Sequence, residues 1–326
     1  MKVSVIIPTK NRFQILEETL LCLSLEQSYL KKEAEVIIVN DGDAIPGSLS
    51  SKIAGMQIIK NRGHGAGNAR NTGAGHATGD LLLFLDDDME VMSDCIARHI
   101  ANHEKHARSL VSGTWEYSQY MKTEAMRTPF GRFKITHDYK PVETKNGERL
   151  SEGVYRTSSL ATFNLSITRA DFKAAGGFNT GFPYAGCEDQ EFTMRAAAKG
   201  FQLIVDNSIV CRHNEKDRLS MDEWMNRQYT GVQGFALLCE LFPFRKKDRL
   251  YLENTPVGLS DPSRIKLKKA IKYLMSRRLM LYAARQFTKM FTTLGLPDHI
   301  LFRLYNVLCG LYIYRGFRHA YRKLHK

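Results

Sequence analysis

Four short apolar runs, each stopped by polar residues and separated by helix-period segments, constrain this chain more than any other feature. They are residues 3–8 (VSVIIP), 35–39 (EVIIV), 56–59 (MQII) and 81–85 (LLLFL). Runs without alternation are buried on both faces, which is the mark of a parallel sheet. Between them, residues 13–25 carry Phe13, Leu16, Leu20 and Leu23 at helix spacing, and residues 66–78 form an Ala/Gly-rich helical stretch. With right-handed crossovers the pattern predicts an α/β doubly wound domain, a mostly parallel sheet with helices on both faces. In such sheets ligands sit beyond the carboxyl ends of the strands. The residues there are Thr9 and Arg12, then Asp41 and Asp43, then Arg62 and Gly63, then Asp86, Asp87 and Asp88. Basic groups facing clustered carboxylates suit a phosphate-bearing ligand held through a divalent metal.

The motifs sharpen that expectation. Three carboxylates directly after a buried strand repel one another unless a cation neutralises them, and Mg²⁺ or Mn²⁺ with diphosphate oxygens would do so. A solvated acidic turn is the alternative. An EF-hand is not expected, because no D-x-D-x-D-G spacing with a terminal Glu follows. Residues 63–68 (GHGAGN) look like a dinucleotide loop but are not G-x-G-x-x-G and follow the third run, so the glycines are read as permitting close backbone approach ahead of a helix that carries Arg70. Arg70 reaches a phosphate, the Asp cluster, or only a surface partner. Residues 176–191 place four glycines ahead of Glu188 and Asp189 at a helix start, with Phe178, Phe182 and Tyr184 nearby. Acidic residues there serve as caps. Beside aromatic rings they also make a sugar site with a general base. His213 follows a late apolar run and is read either as structural or as a further ligand for the Asp cluster.

Composition bears on what surrounds this site. Six cysteines are scattered without a C-x-x-C pair, which argues against zinc or a redox dithiol and for a reducing cytosol. The first apolar run is too short for a signal peptide, and no 18-residue uncharged apolar stretch exists, so a cytoplasmic chain with no spanning helix is expected. The net charge of +13 is uneven: residues 245–326 hold 19 Lys/Arg against 4 Asp/Glu, and the remainder is nearly neutral. From Arg264 onward the bases interleave with Ile265, Leu267, Ile271, Leu274 and Met275, a basic amphipathic pattern that suits peripheral contact with an anionic membrane through the C-terminal helices. The alternatives are an extension packed on the catalytic domain or against a homodimer partner. No nucleic-acid partner is expected, because no recognised module frames the charge. Residues 115–160, with Trp115, Tyr117, Tyr120, Phe130, Phe133 and the turn at 146–147, read as loops and short strands.

Taken in order, VSVIIPTKNR, EVIIVNDGD, ARNTGAGHATGD, FLDDD, GGFN and CEDQEFTMRAAAKG resemble the GT-A fold glycosyltransferases of family 2 over roughly residues 1–215. The GGF…ED stretch is similar to the carboxyl-terminal motif of galactosyl- and N-acetylgalactosaminyltransferase domains. The resemblance implies a Rossmann-like GT-A domain over 1–244 (a nucleotide-binding half, 1–110, and an acceptor-side half, 111–244) followed by a basic helical extension over 245–326. Pro8, Thr9 and Arg12 then line the nucleotide pocket, Asp41 contacts uracil, and Arg70 matches the arginine of the ARN motif. Asp86 faces the ribose or sugar, Asp87 also belongs to the donor site, and Asp88 is the direct metal ligand. Asp189 matches the catalytic base, Glu188 its acceptor-contacting neighbour, and His213 a histidine on the metal. The implied reaction is inverting transfer from a UDP-sugar, with Mn²⁺ or Mg²⁺, to a hydroxyl of a glycan or lipid-linked acceptor in surface polysaccharide synthesis. Two rivals explain less. A sugar nucleotidyltransferase would carry a glycine-rich loop after the first strand, where this chain reads PTKNR. A basic scaffold or nucleic-acid binder gives no reason for the carboxylates.

Overall fold

The computed structural model describes residues 1–26, 34–49, 52–53, 55–138, 147–182 and 184–325. It divides into two compact units. One gathers residues 1–121, 140–181 and 188–215, and the other gathers 122–139, 182–187 and 216–326. The break in compactness after residue 215 and the break in charge at residue 245 are therefore different boundaries.

The first unit is built on a 10-stranded sheet. The four apolar runs form β1 (Val3–Thr9), β2 (Ala34–Asn40), β3 (Gln57–Lys60) and β4 (Leu81–Leu85). They pair in parallel in the order β3-β2-β1-β4. The run in β1 is continuous because each face has a cover. Val3, Val5 and Ile7 pack with Leu16, Leu20 and Leu23 of the Phe13–Ser24 helix. Ile6 points the other way, to Ala69, Phe172 and Phe192. Each such side chain, taken fully from water, contributes about 1.5–3 kcal/mol before entropy is counted.

Beyond β4 the sheet becomes mixed. β9 (Asn164–Thr168) runs antiparallel between β4 and β6 (Ser109–Tyr117), and β10 (Gln202–His213) lies parallel to β6. The short β7 (Glu148–Ser151) and β8 (Val154–Arg156) close that edge. β10 shifts register between Val205 and Val210, and Gly113 of β6 lies against the irregularity. A Cβ on Gly113 would stand 2.3 Å from the Ile209 carbonyl oxygen, so only glycine admits this approach. Past the bulge, β10 pairs antiparallel with β5 (Met89–Val91), with His213 opposite Met89. That pairing brings the end of β10 next to the residues that leave β4.

The second unit is helical. Met221–Leu241 and Asp298–Leu324 pack along each other, close enough that a Cβ on Gly316 would meet the Tyr229 carbonyl oxygen at 2.1 Å. Its core collects Phe130, Phe133, Trp224, Leu301 and Tyr305. Residues 115–160 thus differ in part from the expectation of loops and short strands. β7 and β8 are short strands, but Gln119–Met126 and Pro129–Asp138 are helices. Phe130 and Phe133, three residues apart, share the inner face of the second helix. Asn146 of the expected turn lies outside the described residues. Among the described residues, no helix is long and apolar enough to cross a membrane.

Candidate active site

The carboxyl ends of β1, β2 and β4 converge through a run of hydrogen bonds. The Asp41 amide donates to the Thr9 carbonyl at 2.9 Å, and the Thr9 hydroxyl donates to Asp87 Oδ2 at 2.7 Å. Pro8 sits in β1 opposite Val39 and is half-buried. Arg12, which precedes the Phe13–Ser24 helix, places Nη1 2.6 Å from Asp87 Oδ1 and 2.7 Å from Asp88 Oδ2. Asp41 accepts from Asn61 Nδ2 at 2.7 Å and from the Gly65 amide at 3.1 Å, so its carboxylate ties the end of β2 to the turn ahead of the Ala66–His76 helix.

That helix is made of small residues because it lies almost on the sheet. A Cβ on Gly73 would approach Ile6 Cγ2 to 2.4 Å. The close seat buries Arg70 and aims its guanidinium between two elements. Nη2 is 2.7 Å from Asp86 Oδ1, and Nη1 is 3.1 Å from Glu188 Oε1 at the start of the Glu188–Ala198 helix. The Phe178 ring lies 5.4 Å from the guanidinium carbon. Phe178 itself is a core residue, packed on Phe84, Phe172 and Phe192, so the structure withdraws it from the expected sugar platform. Phe182 and Tyr184 belong to the second unit.

Asp189 follows Glu188 in the first helical turn, and its Oδ1 accepts from the Gln190 amide at 2.7 Å. Burial, then repulsion from Glu188, pushes its carboxyl up to about 7. Burial raises Asp86 against the pull of Arg70, and burial with the Asp88 charge lifts Asp87 to about 6. Burial and mutual repulsion thus disfavour the charged form of all three carboxylates.

His213 reaches Asp88: its Nε2 lies 3.4 Å from Asp88 Oδ2 and 3.7 Å from Glu215 Oε1. The ring is framed by Trp115 edge-on at 5.1 Å and Tyr117 stacked at 6.0 Å. A main-chain bond from the Asn214 amide to the Asp88 carbonyl, 2.8 Å, locks the two segments together. One ligand atom from each of Asp88, His213 and Glu215 lies within 4.8 Å of the others. Two buried carboxylates and one imidazole are a donor set that fits a divalent ion such as Mn²⁺ or Mg²⁺. Glu215 did not emerge from sequence reasoning. Its signal is the His213-x-Glu215 spacing, which at a strand end puts both side chains on one face.

The order of these elements and their carboxylates has a counterpart among known proteins. Residues 4–170, just over half of the chain, match glycosyl transferase family 2. The chain belongs to that family. Residues 146–220 also match the N-terminal domain of galactosyltransferase. An uncharacterized glycosyltransferase of Bacillus subtilis, YfnE, is 38% identical over 257 residues, which cover 66% of this chain and 65% of that protein. Among solved structures, the mannosyltransferase PcManGT of Pyrobaculum calidifontis, in complex with GDP-Man and Mn²⁺, aligns with a TM-score of 0.58 at 19% identity, covering 99% of this chain and 88% of that one. GalNAc-T7 with UDP, GalNAc and Mn²⁺ aligns at 0.55 and 16% identity, over 86% of this chain and 56% of that one. At such identities the likeness is one of fold, and the fold is GT-A with a helical C-terminal region.

Proposed function

We propose that the chain is an inverting, metal-dependent glycosyltransferase that moves a sugar from a nucleotide-sugar donor, a UDP-sugar, to a hydroxyl of a glycan or lipid-linked acceptor in surface polysaccharide synthesis. The observation that carries this reading is the Arg70 junction, which joins the acid that ends β4 to the Glu188-Asp189 pair. A donor bound over Asp86 would thereby have its sugar beside Asp189. A carboxyl raised to about 7 is matched to accept a proton at neutral pH. The acceptor hydroxyl gives its proton to Asp189 while its oxygen attacks the anomeric carbon. The bond to the nucleoside diphosphate breaks on the opposite face, so configuration inverts. Arg70 keeps Glu188 and Asp86 in place through the step, and Arg12 adds positive charge on the phosphate side. A divalent ion held by Asp88, His213 and Glu215 would supply charge neutralisation for the departing diphosphate.

The Pyrobaculum and GalNAc-T7 complexes support a nucleotide sugar and Mn²⁺ as the kinds of ligand, and they carry different bases. A lipid-linked acceptor would put the chain at the cytoplasmic face of a membrane. The deciding test is calorimetric titration of UDP, GDP and ADP with Mn²⁺ present and then with chelator. UDP binding that vanishes with the metal is the expected result. Preference for GDP would undo the assignment of Asp41 to uracil, metal-independent binding would undo the Asp88 site, and no binding at all would overturn the transferase reading.

A further inference from the structure

Two consecutive helices of the second unit leave several large apolar side chains exposed. In Ser263–Met275, Leu267 is 63% exposed and Ile271 and Leu274 follow it on the same stripe, whereas Lys269 on the opposite face is only 1% exposed. The bases face inward because acids wait there: Lys269 Nζ is 2.7 Å from Asp261 Oδ2, and Lys268 Nζ is 2.5 Å from Glu253 Oε2. The next helix, Arg278–Thr293, sets Leu281, Ala284 and Phe291 against the core and carries a second set of exposed apolar side chains besides. Arg285 and Lys289 both turn to Asp222, while Leu279, 77% exposed, Tyr282, Phe287 and the following Leu294 face solvent. A stripe of this length on adjoining helices is not the usual scatter of surface apolar residues.

We infer that this ridge is a docking face for an anionic lipid bilayer. Charge selects that occupant. Arg264, Arg277 and Arg278 are exposed beside the ridge and make no ion pair among the described residues. Arg264 also lines a cleft of about 690 Å³ with Lys247, Arg249, Lys268 and the acids Glu253 and Asp261. A second copy of this chain would bring the same surplus of 15 positive charges over residues 245–326, and the two would repel. Anionic headgroups attract it. Leucine and aromatic side chains entering the acyl boundary while arginines stay at headgroup level is the arrangement of a peripheral helix, and it needs no spanning segment. This face is separate from the nucleotide-sugar site, so either reading can fail without the other.

The test is co-sedimentation of the full chain with vesicles of phosphatidylcholine alone and of equal parts phosphatidylcholine and phosphatidylglycerol. Binding to the mixed vesicles and not to the neutral ones is expected. The variant Arg277→Gln with Arg278→Gln should lose about 30-fold in partitioning, roughly fivefold per charge near the surface. Leu267→Asp with Leu279→Asp should abolish partitioning while leaving the melting temperature and UDP binding unchanged, since both side chains are exposed. Absence of binding to mixed vesicles by the parent chain overturns the proposal. So does binding that survives the leucine changes, which would assign it to charge elsewhere. A dimer in light scattering that the leucine changes dissociate, without vesicle binding, would assign the ridge to a second copy instead.

Discussion

In the proposed mechanism the chemistry turns on Asp189 and Glu215. A base that titrates at about 7 makes kcat/KM climb with pH, tenfold per unit below that value, and level off above it, because the ionised carboxylate is the active form. Asp189→Asn should remove that limb and lower turnover ~10²–10⁴-fold while UDP binding persists. A rate that stays high and keeps its pH limb would transfer the role to another group. Glu215→Gln keeps the shape and removes one ligand charge from the trio with Asp88 and His213. Mn²⁺ affinity, read by calorimetry, should fall by more than the roughly 10–100-fold that loss of an outer partner costs. An unchanged affinity would leave the ion to Asp88 and His213.

Among the elements, close approaches are bought with glycine, and each makes a prediction about packing. The Asp298–Leu324 helix touches Met221–Leu241 where Gly316 faces the Tyr229 carbonyl. Gly316→Ala puts a methyl where backbone already stands, and the helices must part. We expect a loss of about 1–3 kcal/mol in denaturant unfolding, the range for an overpacked core. No loss would mean that the helices slide freely at this contact. The same logic explains the Ala/Gly-rich Ala66–His76 helix: its poor helix formers are retained because they let Arg70 reach Asp86 and Glu188 from a short distance.

Across the whole molecule the two units respond differently to acid. In the second unit, Glu253 is held at about 2 by Lys268 and Arg249 against the cost of burial, Arg285 holds Asp222 low, and Arg132 holds Asp298 low. A depressed folded value means that the stability is present above the unfolded value and is lost as pH falls through the folded one. In the first unit Asp86, Asp87 and Asp189 are raised, so folding favours their neutral forms, and their effect on stability worsens as pH rises. The chain has two tryptophans, Trp115 in the first unit and Trp224 in the second, so each unit carries one reporter. With Trp115→Phe, fluorescence of Trp224 should show the second unit weakening as pH drops from about 4.5 toward 2. With Trp224→Phe, the Trp115 signal should move less over that window. Equal shifts would show that the units unfold as one.

The sequence by itself determined that the first four strands form a parallel sheet covered on both faces, and the chemistry of their ends. Continuous apolar runs must be covered on both faces, and a parallel sheet places the residues that stop them at one edge; Thr9, Arg12, Asp41, Asp87 and Asp88 meet there as local reading foretells. The junction of Arg70 with Glu188 was open, because its alternatives differ only in how near a helix sits to a sheet. The His213-x-Glu215 spacing could set Glu215 beside His213, but its meeting with Asp88 was not legible, since it depends on the β10–β5 pairing, between segments more than 100 residues apart, beyond a bulge that Gly113 permits. The orientation of the C-terminal helices was likewise a tertiary matter. Alternating Lys and Leu define two faces of a helix equally well; in Ser263–Met275 the pairing of Lys268 with Glu253 and of Lys269 with Asp261 goes with Leu267, Ile271 and Leu274 left exposed.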